Sequence, residues 1–399
     1  MIRHFLKLVW RRKRANALVT VEILFSFLVV FAVVAVGTAM YAGWDRPVGF
    51  EWRDVWVVSV ASSEAAPELN APDDPVRQSV DRLLREVRNF PQVAAAAASD
   101  TPPYSGTTSS GVWHRQGKDV ELTRDNVTDG FGEVLQIKPI RGRWFHPSDD
   151  ALGFLPVVID SDLARSFFGA QDALGQKIDE TDGVEYRVVG IIPPYRKDGE
   201  FSAANVNMMF YRKSLSKPGG RVPSNILVRV RPGTPAAFEA ELTRHLQAFE
   251  AGATIRVRRM EQMRDRMIRE RIAPVIILGI IASFLIAMVC LGLTGVLWQT
   301  VTRRTRELGL RRALGASGGS VRSQVLIEVL MITTLAITVG VVLILQLPFL
   351  GIFRFIVPPV FVMAIVSALV VVYGMTLACG AYPSWLASRI EPAEALRYE

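Results

Sequence analysis

The chain has 399 residues, half of them apolar, and a positive mean hydropathy of +0.25. That is too apolar for a soluble domain, yet with 21% charged residues it cannot lie wholly within a bilayer, so membrane helices joined to a water-exposed part are expected. The formal net charge of +8 comes with no recognition-helix, zinc-finger or aromatic-basic stacking pattern, so no nucleic-acid partner is expected.

Residues 1–16 are a short basic segment ending in Arg11-Arg12-Lys13-Arg14, followed by an apolar run, Ala17 to Tyr41, broken only by Glu22. The run is longer than the 7 to 15 or so residues of a signal-peptide core and no small-x-small cleavage site follows, so 17–44 reads as an uncleaved first span. Pro274–Trp298 and Phe355–Tyr382 carry no charge, and Val325–Leu347 carries only Glu328. Each exceeds the roughly 20 residues that cross about 30 Å of hydrocarbon as a helix. Four spans follow, at about 17–44, 274–298, 323–347 and 355–382. The basic flanks before span 1, between spans 2 and 3 and after span 4 all fall on one side, which the positive-inside rule assigns to the cytoplasm. Both termini are then cytoplasmic, and residues 45–272 lie outside.

That outer segment alternates strand and helix patterns. Asp54–Val60 is rich in β-branched residues and reads as a strand, and Asp73–Val87 has Pro75 in its first turn with Val76, Val80, Leu83, Leu84 and Val87 on one face. Asn225–Val230, Pro235–Phe249 and Ala253–Arg258 read as β-α-β. The two ends are expected to pair in one α+β lobe, about 50–100 with 225–258. Leu155–Asp160 and Val184–Ile192 belong to an inserted lobe, about 101–224, bounded by the loop-rich stretches near 100 and 224. A helix over 259–272 then leads into span 2. It is either a rigid stalk continuous with that span or a plain solvated juxtamembrane helix.

Several chemistries have no sequence support. There is no G-x-x-x-x-G-K-[ST] phosphate loop, H-E-x-x-H or G-x-S-x-G, and Gly315–Ser320 has glycines but no lysine for a phosphate. The four histidines are scattered, and Cys290 and Cys379 both fall in spans, which leaves no outer disulfide framework or cysteine-bound zinc. No catalytic residue and no bound metal or cofactor are expected. Glu22 and Glu328 are the acids within the spans, shallow in the cytoplasmic leaflet, where pairing with interfacial arginine is the favoured reading over a proton path. Gly279, Ser283 and Ala287 are spaced by four, a small-residue stripe suited either to a dimer face or to helix packing within one subunit.

Between spans 2 and 3, Thr302–Ser317 packs five arginines, a glutamate and two glycines into sixteen residues. As a helix it is amphipathic with a basic face, and Glu307 can pair with Arg303 or Arg311. Composition alone leaves two readings, an anchor on anionic lipid or a grip on a protein partner. The stretch Val301–Ser317, VTRRTRELGLRRALGAS, resembles the signature of the FtsX-like permease domain of MacB-type ABC transporters. Ile137–Asp150, Val157–Gly169, Ala173–Ile178 and Tyr186–Ile192 resemble blocks of that family's periplasmic core domain, and Tyr382–Glu399 resembles its cytoplasmic tail.

The resemblance implies a membrane α-helical fold, four spans with a large α+β domain of two lobes outside, in the bacterial inner membrane, with residues 273–399 as the permease domain and 301–320 as its coupling segment. It implies a homodimer or paired permease that docks on an ABC ATPase, which would carry ATP and Mg2+, often with a periplasmic adaptor and an outer-membrane channel. By motif match Arg303, Arg306, Glu307, Gly309, Arg311, Arg312, Leu314, Gly315 and Ala316 would form the coupling segment. The expected function is mechanotransmission, in which ATP use by a separate subunit moves the outer domain to export a substrate. An FtsX-type regulator of an outer enzyme and a lipoprotein-releasing permease remain as alternatives. The end of span 2, Thr294–Val301, differs from that of macrolide exporters, so a macrolide is not the expected cargo.

Overall fold

The computed structural model describes residues 13–62, 75–115, 118–181, 184–202, 207–214, 223–250, 253–303, 310, 314, 317–350 and 358–387. Two compact units divide the chain, one of Gly43–Arg271 and one of Met1–Ala42 with Ile272–Glu399. In chain order the elements are α1 (Lys13–Trp44), β1 (Val55–Ser62), α2 (Pro75–Arg88), β2 (Val93–Ser99), β3 (Ser109–Arg115), β4 (Lys118–Val127), the single turn α3 (Phe131–Val134), β5 (Arg141–Gly142) and β6 (Leu155–Asp160). They continue with α4 (Ser161–Phe168), β7 (Lys177–Thr181), β8 (Val184–Ile192), β9 (Met208–Arg212), β10 (Asn225–Val230), α5 (Phe238–Phe249), β11 (Ala253–Arg259), α6 (Met260–Arg303), α7 (Gly318–Gln346) and α8 (Pro358–Ala387).

In the outer unit the strands form one eleven-stranded mixed sheet in the order β11-β1-β10-β2-β4-β9-β6-β8-β5, with β3 added on β4 and β7 on β8. Its first part is antiparallel, and β1 lies between β10 and β11 with Val58 opposite Ile226 and Val257. Alternation then sorts side chains by face. Trp56, Val58 and Val60 join Ile226, Val228 and Val230 under the buried faces of α2 (Val80, Leu83, Leu84, Val87) and α5 (Phe238, Leu242, Leu246). Val55 and Val57 turn the other way, into a second core with Leu227, Phe131, Phe210 and Ile192. Both faces of these central strands are covered, which is why they read as apolar runs.

A single pairing, Ser99 with Val127, carries the sheet from β2 to β4. Beyond it β4–β9 and β6–β8 are parallel, and α4 packs its Leu163 and Phe167 into a core with Val157 and Ile159 of β6. Asp160 ends β6 and caps α4, its Oδ1 accepting from the Leu163 backbone N at 2.8 Å. The start of α6 belongs to this unit: Met260, Met263 and Met267 recur at helical spacing and are buried in the second core. They leave no plain solvated helix there. The helix continues without interruption to Arg303, with Pro274 inside it.

Among the described residues four helices are long and apolar enough to cross a bilayer, over Val19–Trp44, Met260–Gln299, Gly318–Gln346 and Pro358–Leu386. They pack through small residues and a few polar pairs. Gly340 of α7 receives the Phe27 ring of α1, since a Cβ there would stand 2.5 Å from Phe27 Cδ1. Phe31 meets Phe361 of α8 edge-on at 5.5 Å. Between α7 and α8, Thr333 and Thr376 share a hydrogen bond of 3.3 Å, and Thr334 reaches the Tyr373 hydroxyl at 3.0 Å. The two cysteines fall in α6 and α8, with the Cys379 thiol against Cys290.

Candidate functional site

In the basic segment between the second and third spans, α6 is described as far as Arg303, and α7 begins at Gly318 behind the N-cap Ser317, which has extended backbone (φ −66°, ψ 149°) and accepts from the Ser320 backbone N through its hydroxyl. The Gly-Ser run that follows Ala316 is therefore a capped helix start. Arg306, Glu307, Gly309, Arg311, Arg312, Gly315 and Ala316 lie outside the described residues, as does the side chain of Arg303. Leu314 is described, with Leu310. The Leu314 amide donates to the Leu310 carbonyl at 3.0 Å, and Leu314 and Leu310 are 80% and 52% exposed. Leu310 was not among the residues singled out by the motif; the signal that could have found it is its i,i+4 spacing from Leu314.

The two membrane acids differ. Glu328 is half-buried on α7, between the buried Val325 and Val329. Glu22 packs on α6, its Oε2 2.9 Å from the place a Cβ would take on Gly292. Among the described residues its carboxylate makes no hydrogen bond or ion pair. The side chain of Arg14 lies outside them.

The small-residue stripe faces outward. Nothing stands within 4 Å of a Cβ built on Gly279, Ser283 and Ala287 are exposed, and the Ser283 hydroxyl bonds back to the Gly279 carbonyl at 2.8 Å. Packing within the chain uses a different face of α6, lined by Ala282, Val289, Leu293, Leu297 and Val301.

Buried ionisable groups concentrate in the outer unit, and their contacts are structural. Asp125 is buried and accepts from the Ser99 hydroxyl at 2.7 Å and from the backbone N of Asp100 and Thr101, each at 3.0 Å. Burial outweighs these bonds and pushes its carboxyl up to about 7. Asp160 is likewise pushed up to about 7 by burial. Arg212, 6% exposed, bridges Asp129 at 2.6 Å and Asp150 at 2.5 Å. Among the described residues no group of three or more His, Cys, Asp or Glu is placed to hold a metal.

Comparison with known proteins gives this arrangement a family. The MacB-like periplasmic core domain matches residues 17–245, and the FtsX-like permease C-terminal domain matches 277–392. The chain belongs to the MacB-type, FtsX-like ABC transporter permeases. It is 27% identical over 302 residues to the macrolide export ATP-binding/permease protein MacB of Bordetella avium, covering 73% of this chain and 45% of that protein. It is 25% identical over 304 residues to the uncharacterized ABC transporter permease YvrN of Bacillus subtilis, covering 68% of this chain and 69% of that protein. The chain thus spans under half the length of the MacB relative. Among solved structures, the periplasmic region of MacB from Actinobacillus actinomycetemcomitans aligns with 57% of this chain and 97% of its own, at 13% identity and a TM-score of 0.39. The core-domain match takes in α1 and most of the Gly43–Arg271 unit, and the permease match runs from within α6 through α8.

Proposed function

We propose that this permease converts ATP binding and hydrolysis, carried out by an ABC ATPase outside these residues, into movement of its outer domain, and that the movement drives export of a substrate. The observation that carries the reading is the exposure of Leu310 and Leu314 within the arginine-rich segment between two membrane helices, in a chain of this family. Two leucines presented to water are disfavoured by about 25 cal/mol per Å² of exposed apolar surface, and a protein groove would cover them. The surrounding Arg303, Arg306, Arg311 and Arg312, with Glu307, supply charge that sets register against the ATPase. Lipid headgroups on the cytoplasmic face would also attract these arginines, but lipid does not select for the glutamate among them.

In this reading ATP and Mg2+ bind the partner ATPase, a second copy of the permease or a paralogue completes the assembly, and the exposed Gly279–Ser283–Ala287 face is where two span-2 helices approach. The chain sits in the inner membrane with both termini cytoplasmic. A periplasmic adaptor and an outer-membrane channel complete the export route.

The test is co-purification of the full chain with its ATPase subunit from membranes. Wild type is expected to retain the ATPase, and the double variant Arg306→Ala/Glu307→Ala to lose most of it while keeping normal membrane yield. Full retention by the double variant would mean that the ATPase grips another surface.

A further inference from the structure

The two ends of the outer unit, the last turn of α1 and the first turns of α6, are held by one loop that follows β8. The hub is Arg196, only 5% exposed. Its guanidinium donates to the carbonyls of Gly43 (2.8 Å) and Arg46 (3.1 Å) on one side, and to those of Glu200 (2.6 Å) and Ser202 (3.3 Å) within its own loop. Gly43 lies in the last turn of α1, where carbonyls have no partner within the helix, so a buried guanidinium acts there as a C-terminal cap. The Arg196 amide adds a bond to the Val48 carbonyl at 2.9 Å.

The same loop takes hold of α6. The Glu200 carboxylate accepts from Arg264 Nε at 2.8 Å and Nη2 at 2.6 Å, and the Arg264 guanidinium lies over the Trp52 ring at 4.6 Å. Asp198 faces Arg271 at 3.7 Å. Glu200 therefore serves both grips, with its backbone carbonyl on Arg196 and its side chain on Arg264.

Glycines mark where backbones are pressed together. A Cβ on Gly43 would stand 2.5 Å from the Glu200 carbonyl, one on Gly49 2.3 Å from that of Pro194, and one on Gly199 2.4 Å from the Tyr104 ring. Gly49 and Gly199 also have positive φ, 88° and 75°. Tyr104 itself is left-handed at φ 58°, its amide on the Lys197 carbonyl at 3.1 Å. Approaches this close leave no room for a sliding contact.

From this geometry we infer that residues 193–202 are a mechanical clamp that binds the exit of the first span helix and the start of α6 into one joint, and delivers their displacement to β8 and the sheet. Arg196 and Glu200 are its positioning residues. The use made of the clamp rests on the force-transmission reading above; its rigidity does not, and can be measured without nucleotide.

The experiment is hydrogen–deuterium exchange of the full chain in lipid nanodiscs without ATPase, comparing Glu200→Gln and Arg196→Lys with wild type. The Gln variant loses the charged contact to Arg264 alone, yet is expected to raise exchange about tenfold or more over residues 43–50 as well as over 260–271. The Lys variant, which loses the forked bonds to the α1 end, is expected to do the reverse across the joint. Strand residues 225–230 should keep wild-type protection in both. If each variant loosens only the segment it touches, or if 225–230 loosens equally through general destabilisation, there is no clamp. Should Arg196→Lys fail to fold, Gly43→Ala pries the same contact apart and is read in the same way. Failure of the ATPase test with this exchange pattern intact would overturn the functional reading and leave the clamp standing.

Discussion

The two units use apolar side chains for different ends. In the outer unit burial is the driving force, and α6 follows that rule at its start, where Met260, Met263 and Met267 are 0%, 4% and 6% exposed. Further along the same helix Ile280, Phe284 and Leu291 are 65%, 63% and 72% exposed. Lipid tails are as apolar as leucine, so exposure there costs nothing, and cohesion must come from shape and a few hydrogen bonds. An exposed leucine is thus uninformative within a span and informative at Leu314, in the basic segment between the second and third spans.

The sharpest way to break this contrast is to excavate the outer core. Phe210 is fully buried among Tyr195, Phe131 and Trp144, so Phe210→Ala is expected to cost about 3–5 kcal/mol, read as a fall in the unfolding midpoint of the outer unit within the full chain. A loss under 1 kcal/mol would mean that this core is loose. In the membrane unit the comparable lesion is overpacking: Gly340→Val sets a side chain against Phe27 and is expected to cost about 1–3 kcal/mol in unfolding from lipid or mixed micelles.

A subtler probe is pH. Because the Asp125 carboxyl is pushed up to about 7 against an ordinary 3.8, the folded state binds more protons than the unfolded state between these values. Its contribution to stability is full below pH 4 and is lost as pH rises through 7. Asp125→Asn should remove that component and flatten the thermal-stability profile over the window, while Asp160, raised in the same way, keeps its share. The smallest effect is expected from Thr333→Val, which deletes the 3.3 Å bond to Thr376 at about 0.6 kcal/mol. A cost of several kcal/mol would make polar pairs, not shape, the main cohesion of the spans.

How much was legible in the sequence varied with the range of the interactions. β10 is found over the very residues read as a strand, and α2 buries Val80, Leu83, Leu84 and Val87 of the face that period 3.6 indicated. The spans were equally plain, because a bilayer demands a continuous run. The β3–β4 hairpin was missed: Lys118–Val127 is mostly polar, and Ser109–Gly111 lies in what reads as a loop. Strand β9 was also missed, since five residues give too short a pattern. The clamp was invisible for a different reason. Its parts come from 43–50, 104, 193–202 and 264–271, and no local periodicity links Arg196 to the carbonyl of Gly43. In the coupling segment the motif was legible at once, while the exposure of Leu310 and Leu314 required coordinates.

The most direct test of force transmission is a distance between outer domains. With Cys290 and Cys379 replaced by Ala, a spin label at Val112, which is 55% exposed, would be placed in both copies of the permease assembled with its ATPase in nanodiscs. The account predicts that the label-to-label distance distribution shifts between the nucleotide-free and the ATP-trapped complex, and that Arg306→Ala/Glu307→Ala abolishes the shift. An unchanged distribution in a complex that binds and hydrolyses ATP would contradict it.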